Sequence, residues 1–166
     1  MLIAHAPAGY IAAKTMRKRS TATFVICSLI FAIWPDLDLL YYYFFTSSGV
    51  FHHTYFPHLP IAMVAGLLLM LPLLYIDRFK KFKDIYLLFF INWAIHIVLD
   101  TFTGGIMWLY PFSRKLFVII KIPAVYSHWA ISFVLHWSFI IELAILICAA
   151  VLLIKTIKGL PRFFPQ

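Results

Sequence analysis

Apolar residues along the chain fall in continuous runs rather than in alternation, separated by short polar or basic clusters. Continuous runs predict helices, whereas barrel strands facing lipid would alternate. Five runs stand out. Met1–Ala13 falls short of the roughly 20 residues that cross the hydrocarbon and predicts a half-membrane or interfacial helix. The run from Thr21 to about Phe45 opens on Ser20 or Thr21 as a helix N-cap, and Pro35 predicts a kink or stop inside it. Leu59–Ile76 enters with Pro60 in its first turn, where the missing N–H has no intrahelical partner to lose. The fourth run, Asp84 to about Thr103, stops at Gly104-Gly105. The fifth, Trp129–Ile154, is long enough to span with some tilt. Between the last two lies an aromatic, basic stretch, Gly104–Ser127, expected along the interface or re-entering partway. The expected architecture is an all-α, polytopic membrane helical bundle. It has about four spanning helices plus a short N-terminal half-membrane helix, in a single domain over residues 1–166.

Composition sharpens this picture. The chain is 64% hydrophobic and 12% charged, with mean hydropathy +0.94, against about 25% charged in a soluble domain. The net charge of +8 raises nucleic acid as a partner, but the 14 basic residues form four clusters. These are Lys14/Arg17/Lys18/Arg19, Arg78/Lys80/Lys81/Lys83, Arg114/Lys115/Lys121 and Lys155/Lys158/Arg162, each flanking an apolar run as membrane-edge anchors do. A nucleic-acid surface needs a solvated basic face, which such a chain lacks. Placing residues 14–19 in the cytoplasm puts three clusters inside and leaves only 114–121 outside. The positive-inside rule therefore predicts residues 46–58 on the extracytoplasmic side, and the expected location is the cell's inner (plasma) membrane, as a multi-pass protein. Cys27 and Cys148 sit inside apolar runs and read as small buried hydrophobes. The basic cluster follows the first apolar run, the reverse of a signal peptide's order.

Polar groups at membrane depth need partners. Asp77 and Asp84 flank a basic loop and read as its charge partners. Asp36 and Asp38, two residues apart after Pro35, either cap a kinked helix or repel one another unless a cation sits between them. Asn92, His96 and Asp100 are spaced by four and share one helical stripe. They form either a packing pair of histidine and aspartate or a ligand set with one member orienting another. His52, His53 and His58 crowd the entrance to the third helix as an interfacial loop or a donor patch. The deduced topology brings Asp36/Asp38, His53/His58 and His96/Asp100 to the same outer level. His5 joins them, because the first two segments form a hairpin rising about 1.5 Å per residue. His128, Ser132 and His136, also four apart, either line a substrate path or pack the fifth helix. Glu142 is assigned no role.

These motifs resemble those of the YdjM-like predicted membrane-bound metal-dependent hydrolases. The matching pieces are His5 in AHAPAGY, Pro35-Asp36-Leu37-Asp38, His53-TYFP-His58, and His96-IVL-Asp100 leading into TFTGG and Leu109-Tyr110-Pro111, over roughly residues 1–113. Thr54 stands where the family usually has Arg, a natural phosphate clamp, and Pro57-His58-Leu59 replaces Thr-His-Ser. The resemblance implies a metal-dependent hydrolase. The expected metal ligands are His5, Asp36, Asp38, His53, His58, His96 and Asp100, more than one tetrahedral zinc takes. They suit one or two divalent ions, zinc first and manganese as the alternative. Paired metals activate water and steady the leaving oxygen in phosphoester hydrolysis. Asp36, Asp38 and Asp100 are the catalytic candidates, one of them as general base. His52, Asn92, Thr103, His128 and His136 are expected to orient the ligands from behind or to line the substrate path. A site at the membrane–water level would meet a lipid headgroup, so a phosphoester or ester of a membrane lipid or lipid-linked molecule is the expected substrate. The competing classes are a non-catalytic metal transporter or sensor, a haem or quinone protein with His96 facing His136, and a structural scaffold. The sequence leaves oligomeric state open.

Overall fold

The computed structural model describes residues 1, 3–17, 20–45 and 52–159, apart from the side chains at 40, 42 and 43. Lys18 and Arg19 of the first basic cluster, residues 46–51 of the outer loop, and Arg162 lie outside the described residues. The chain folds into eight α-helices among the described residues. They are α1 (His5–Met16), α2 (Ala22–Ile33), α3 (Asp38–Phe45), α4 (Pro60–Met70), α5 (Asp77–Lys80), α6 (Lys83–Thr103), α7 (Trp129–Val134) and α8 (Phe139–Gly159).

Helix ends follow local chemistry. The Thr21 side chain accepts the Phe24 N–H at 3.2 Å and caps α2. Pro35 breaks the second apolar run, which tightens into a 3-10 turn at Trp34–Leu37 before α3. Pro60 opens α4, and a second 3-10 turn, Leu71–Tyr75, follows Met70 around Pro72. Both glycines after α6 bond back to the Asp100 carbonyl, at 2.8 and 3.0 Å, and close the helix. Gly105 takes φ +84°, a region that strains other residues. This lets Ile106 pair with Phe117 as an isolated antiparallel bridge.

Two helices, α6 and α8, are long and apolar enough to cross a membrane. The second and third runs, Ala22–Leu37 and Pro60–Tyr75, are shorter because proline-containing 3-10 turns end their regular helix. The fifth run is not one helix but two. His136 Nδ1 accepts the Ser138 N–H at 3.3 Å and lies 2.8 Å from Ser138 Oγ, and this polar turn separates α7 from α8. Two ion pairs lie at the periphery: Arg17 with Asp84, and Lys80 with Asp77 at 2.6 Å.

Helix α1 is the hub, packing on α2, α6 and α8, while α6 also carries α2 and α4. Its approach to α2 is close because position 9 has no side chain. A Cβ there would lie 2.6 Å from Ala32 Cβ and 3.0 Å from the Ser28 carbonyl oxygen. Ser28 Oγ donates to the Gly9 carbonyl at 2.7 Å and accepts from Asn92 Nδ2 at 2.9 Å, tying α1, α2 and α6 through one buried hydroxyl. The opposite side of α6 packs Phe90, Trp93 and Ile97 on Leu59 and Ala62 of the α4 entrance and on Ile106 and Met107. Helix α8 keeps Leu143, Leu146, Ile147, Val151, Ile154 and Ile157 exposed, a surface suited to lipid rather than water.

Gly9→Ala is expected to lower the unfolding temperature in detergent, with an overpacking cost of about 1–3 kcal/mol. Gly159→Ala, where an added Cβ meets nothing within 4 Å, is expected to leave it unchanged. Thermal unfolding of the two variants beside the parent checks this.

Candidate metal centre

Three elements deliver four polar side chains to one point beside the end of α6. Asp36 comes from the 3-10 turn after α2, His58 from the 3-10 turn Phe56–His58 before α4, and His96 and Asp100 from successive turns of α6. Each offers an atom lying within 4.8 Å of all the others. His96 Nε2 is 3.0 Å from Asp100 Oδ2 and 3.6 Å from Asp36 Oδ1. His58 Nε2 is 3.3 Å from His96 Nε2, 3.6 Å from Asp36 Oδ1 and 3.7 Å from Asp100 Oδ2. Zinc bonds of about 2.0–2.1 Å place tetrahedral ligand atoms roughly 3.3–3.5 Å apart, so these spacings of 3.0–3.7 Å lie close to the edges of such a site.

The outer face of each imidazole decides what its inner face carries. His96 Nδ1 bonds the Ala32 carbonyl at 2.7 Å. A carbonyl only accepts, so Nδ1 holds the proton and Nε2 presents a lone pair. Pro35 has no N–H to offer the carbonyl three residues back, which is that of Ala32. His58 Nδ1 donates to Asp38 Oδ2 at 2.9 Å, and His53 Nδ1 donates to the Gly105 carbonyl at 3.2 Å. Asp100 divides its two oxygens. Oδ1 takes His5 Nε2 at 3.1 Å and the Met1 amino group, whereas Oδ2 is buried with no hydrogen-bond donor. Leaving a buried acceptor unmatched costs about 1–3 kcal/mol. Here two Nε2 lone pairs and two carboxylate oxygens face one another. This donor set fits a divalent cation.

Burial sets the access. His58 is 0% exposed, His96 and Asp100 are 1% exposed, and the Asp36 side chain is 29% exposed. Burial pushes the His53 imidazole down to about 3 despite Asp100 beside it, so it stays neutral at ordinary pH.

The other expected site residues take separate places. His53 Nε2 is 3.6 Å from Asp100 Oδ2, and its ring stacks on His58 at 4.8 Å. His52, His53 and His58 form a second group with ligand atoms within 4.8 Å. Asp38 turns to His58 Nδ1 and to His52 Nδ1 at 3.5 Å rather than toward the four-atom cluster. His5 reaches Asp100 and stacks on His96 at 3.8 Å. Asn92 sits one turn before His96 and serves the Ser28 link between helices. Thr103 ends α6, half-buried. His128 and His136 are not brought into the cluster groups. His128 caps α7 through the Ala130 N–H at 3.2 Å, and His136 holds the turn before α8. Pro57 accepts the Trp93 Nε1–H at 2.6 Å through its carbonyl, which pins the histidine loop to α6.

Some participants carry no chemical signal in the sequence, namely the Ala32 and Gly105 carbonyls. Gly104 is another. A Cβ there would lie 2.1 Å from His53 Cε1 and 2.7 Å from His53 Nδ1. Gly104→Ala is therefore expected to expel His53. Acylation of His53 by diethyl pyrocarbonate, mapped by mass spectrometry, should rise several-fold over the parent, with His128 labelling as the internal reference.

No curated protein and no solved structure matches the chain. One family does, the YdjM inner membrane protein family, and the match runs over residues 1–161. It takes in all the residues of the cluster and also α7 and α8, beyond the stretch that carries the motif likeness. A helical bundle with an apolar surface and a closed His/Asp group is thus what this family looks like here, and the chain belongs to the YdjM inner membrane protein family.

Proposed function

We propose that this protein is a membrane-embedded metal-dependent hydrolase that cleaves a phosphoester or ester of a lipid or lipid-linked substrate. One observation carries the reading: four lone-pair atoms from four turns of chain close on a single point, and only one of their side chains reaches the surface. Asp36, His58, His96 and Asp100 would hold a divalent ion, zinc before manganese, with His52 and His53 as holders of a second ion where two are bound. Such an ion supplies a Lewis acid that activates water and polarises the ester or phosphoester oxygen.

The chain's own residues do the rest. Asp38 holds His58 with Nε2 turned inward, as outer carboxylates do for ligating histidines. The Ala32 carbonyl does the same for His96, and His5 holds Asp100. Asp36 turns Oδ1 inward and, being the exposed member, leaves Oδ2 to accept a proton from the attacking water. Substrate then approaches on the Asp36 side, where Leu37, Tyr41 and Phe56 are exposed and suit an acyl chain. In this reading the short runs Ala22–Leu37 and Pro60–Tyr75 complete a four-pass bundle, and the site faces the extracytoplasmic side. Thr54 offers no cationic clamp for a phosphate, which keeps a carboxylic ester beside the phosphoester as substrate.

Detergent-purified protein is expected to carry near-stoichiometric metal by elemental analysis, and His96→Ala and Asp36→Ala to lose it. Asp38→Asn should weaken zinc binding about 10–100-fold. In mixed micelles of phospholipid, product release should follow metal content across the variants. Metal retained without hydrolysis of any lipid would favour the alternative, a non-catalytic membrane metal-binding protein acting as transporter or sensor. A parent protein that binds no metal under any condition would sink both.

A further inference from the structure

Glu142 is fully buried in the first turn of α8, a helix whose exposed faces are apolar as far as Lys155. An acidic residue in a first turn suits the helix dipole, yet this side chain is directed across to another element. Its Oε2 accepts the Ile3 N–H at 2.6 Å. Two residues on is His5, and between them Ala4 is 0% exposed and starts α1 by accepting the Ala8 N–H at 2.9 Å. One turn along α8 from Glu142, Ile145 packs on the same group, Ala4, Ala8 and Leu99. Further along, Thr156 meets the Tyr10 hydroxyl at 3.4 Å. Residues 142, 145 and 156 thus form a seam along which α8 grips the start and body of α1. The segment so gripped carries His5, whose Nε2 lies on Asp100 and whose ring lies on His96.

We propose that Glu142 is a positioning residue for the metal centre: by accepting the Ile3 N–H it sets the entry of α1 and thereby holds the His5 imidazole against Asp100. This rests on the metal-centre reading above. It gives α8 a share in the site although no α8 side chain enters the cluster. It also accounts for an acidic group at a depth where such groups are costly.

The test measures zinc affinity by chelator competition in detergent for the parent, Glu142→Gln, Glu142→Leu and Glu142→Ala, each with and without His5→Ala. Glutamine keeps an amide oxygen acceptor and should bind within about threefold of the parent. Leucine and alanine remove the acceptor and should weaken binding about tenfold or more, within the range of outer-shell losses. In the His5→Ala background the same changes should add nothing, because coupled residues are not additive. Deuterium exchange at the amides of residues 3–8 should speed up in the leucine and alanine variants and not in the glutamine variant. Parent-like zinc affinity in both truncations would overturn the proposal, as would an equal further loss without His5, which marks a general effect on folding. Unchanged exchange at residues 3–8 would overturn it as well. A parent protein that binds no zinc would instead bring down the metal-centre reading, and this proposal with it.

Discussion

Lone pairs that face one another in a buried space must be met by positive charge, and the arrangement at the end of α6 depends on that requirement. Two imidazole nitrogens and two carboxylate oxygens stand 3.0–3.7 Å apart in five of their six pairings, with their protons drawn off to the outside. The outward acceptors are as much part of the design as the inward atoms. Without the Ala32 carbonyl, His96 could turn its other nitrogen inward. Without Asp38, so could His58. The polar interior of this bundle is consistent only as a set, which is why it draws on a helix kink, a histidine loop, one long helix and the start of the chain's first helix.

Much of this set was legible in the sequence because its cause is local. Pro35 announces the kink that carries Asp36 and Asp38. The spacing of four puts His96 and Asp100 on one stripe, and paired glycines stop α6 just after them. Thr21 caps α2 as its chemistry suggests. What could not be read is what depends on tertiary approach. Asp36 and Asp38 look equivalent in sequence, but the 3-10 turn points one at the cluster and the other at the back of His58. His5 looks like a ligand, and in the structure it leans on Asp100 and stacks on His96. His128 and His136 share a helical spacing, yet the polar turn at Ser138 divides that helix and gives each a local partner. The expectation of about four spans rested on apolar run length. Two helices meet that length in the structure, and the other two runs, Ala22–Leu37 and Pro60–Tyr75, come to 16 residues each with their proline-containing 3-10 turns.

The same division explains the role of α8. Its sequence advertises an apolar span and nothing more, and most of its circumference is exposed. Its attachment to the bundle is a narrow line of contacts dominated by α1. A helix solvated by lipid on most sides is held by few interactions, so the polar ones along that line carry a large share of its registration.

The absent side chain at position 9 reaches further than helix packing. Gly9 lies one turn beyond His5 on α1, and what it lets in is Ala32, whose carbonyl orients His96. The gap between two backbones therefore fixes the separation of two imidazoles, and the spacing of the polar cluster is written at a residue that contributes no atom to it. Variation in this chain that preserves every histidine and aspartate can still detune the cluster, simply by adding a methyl group where hydrogen now stands.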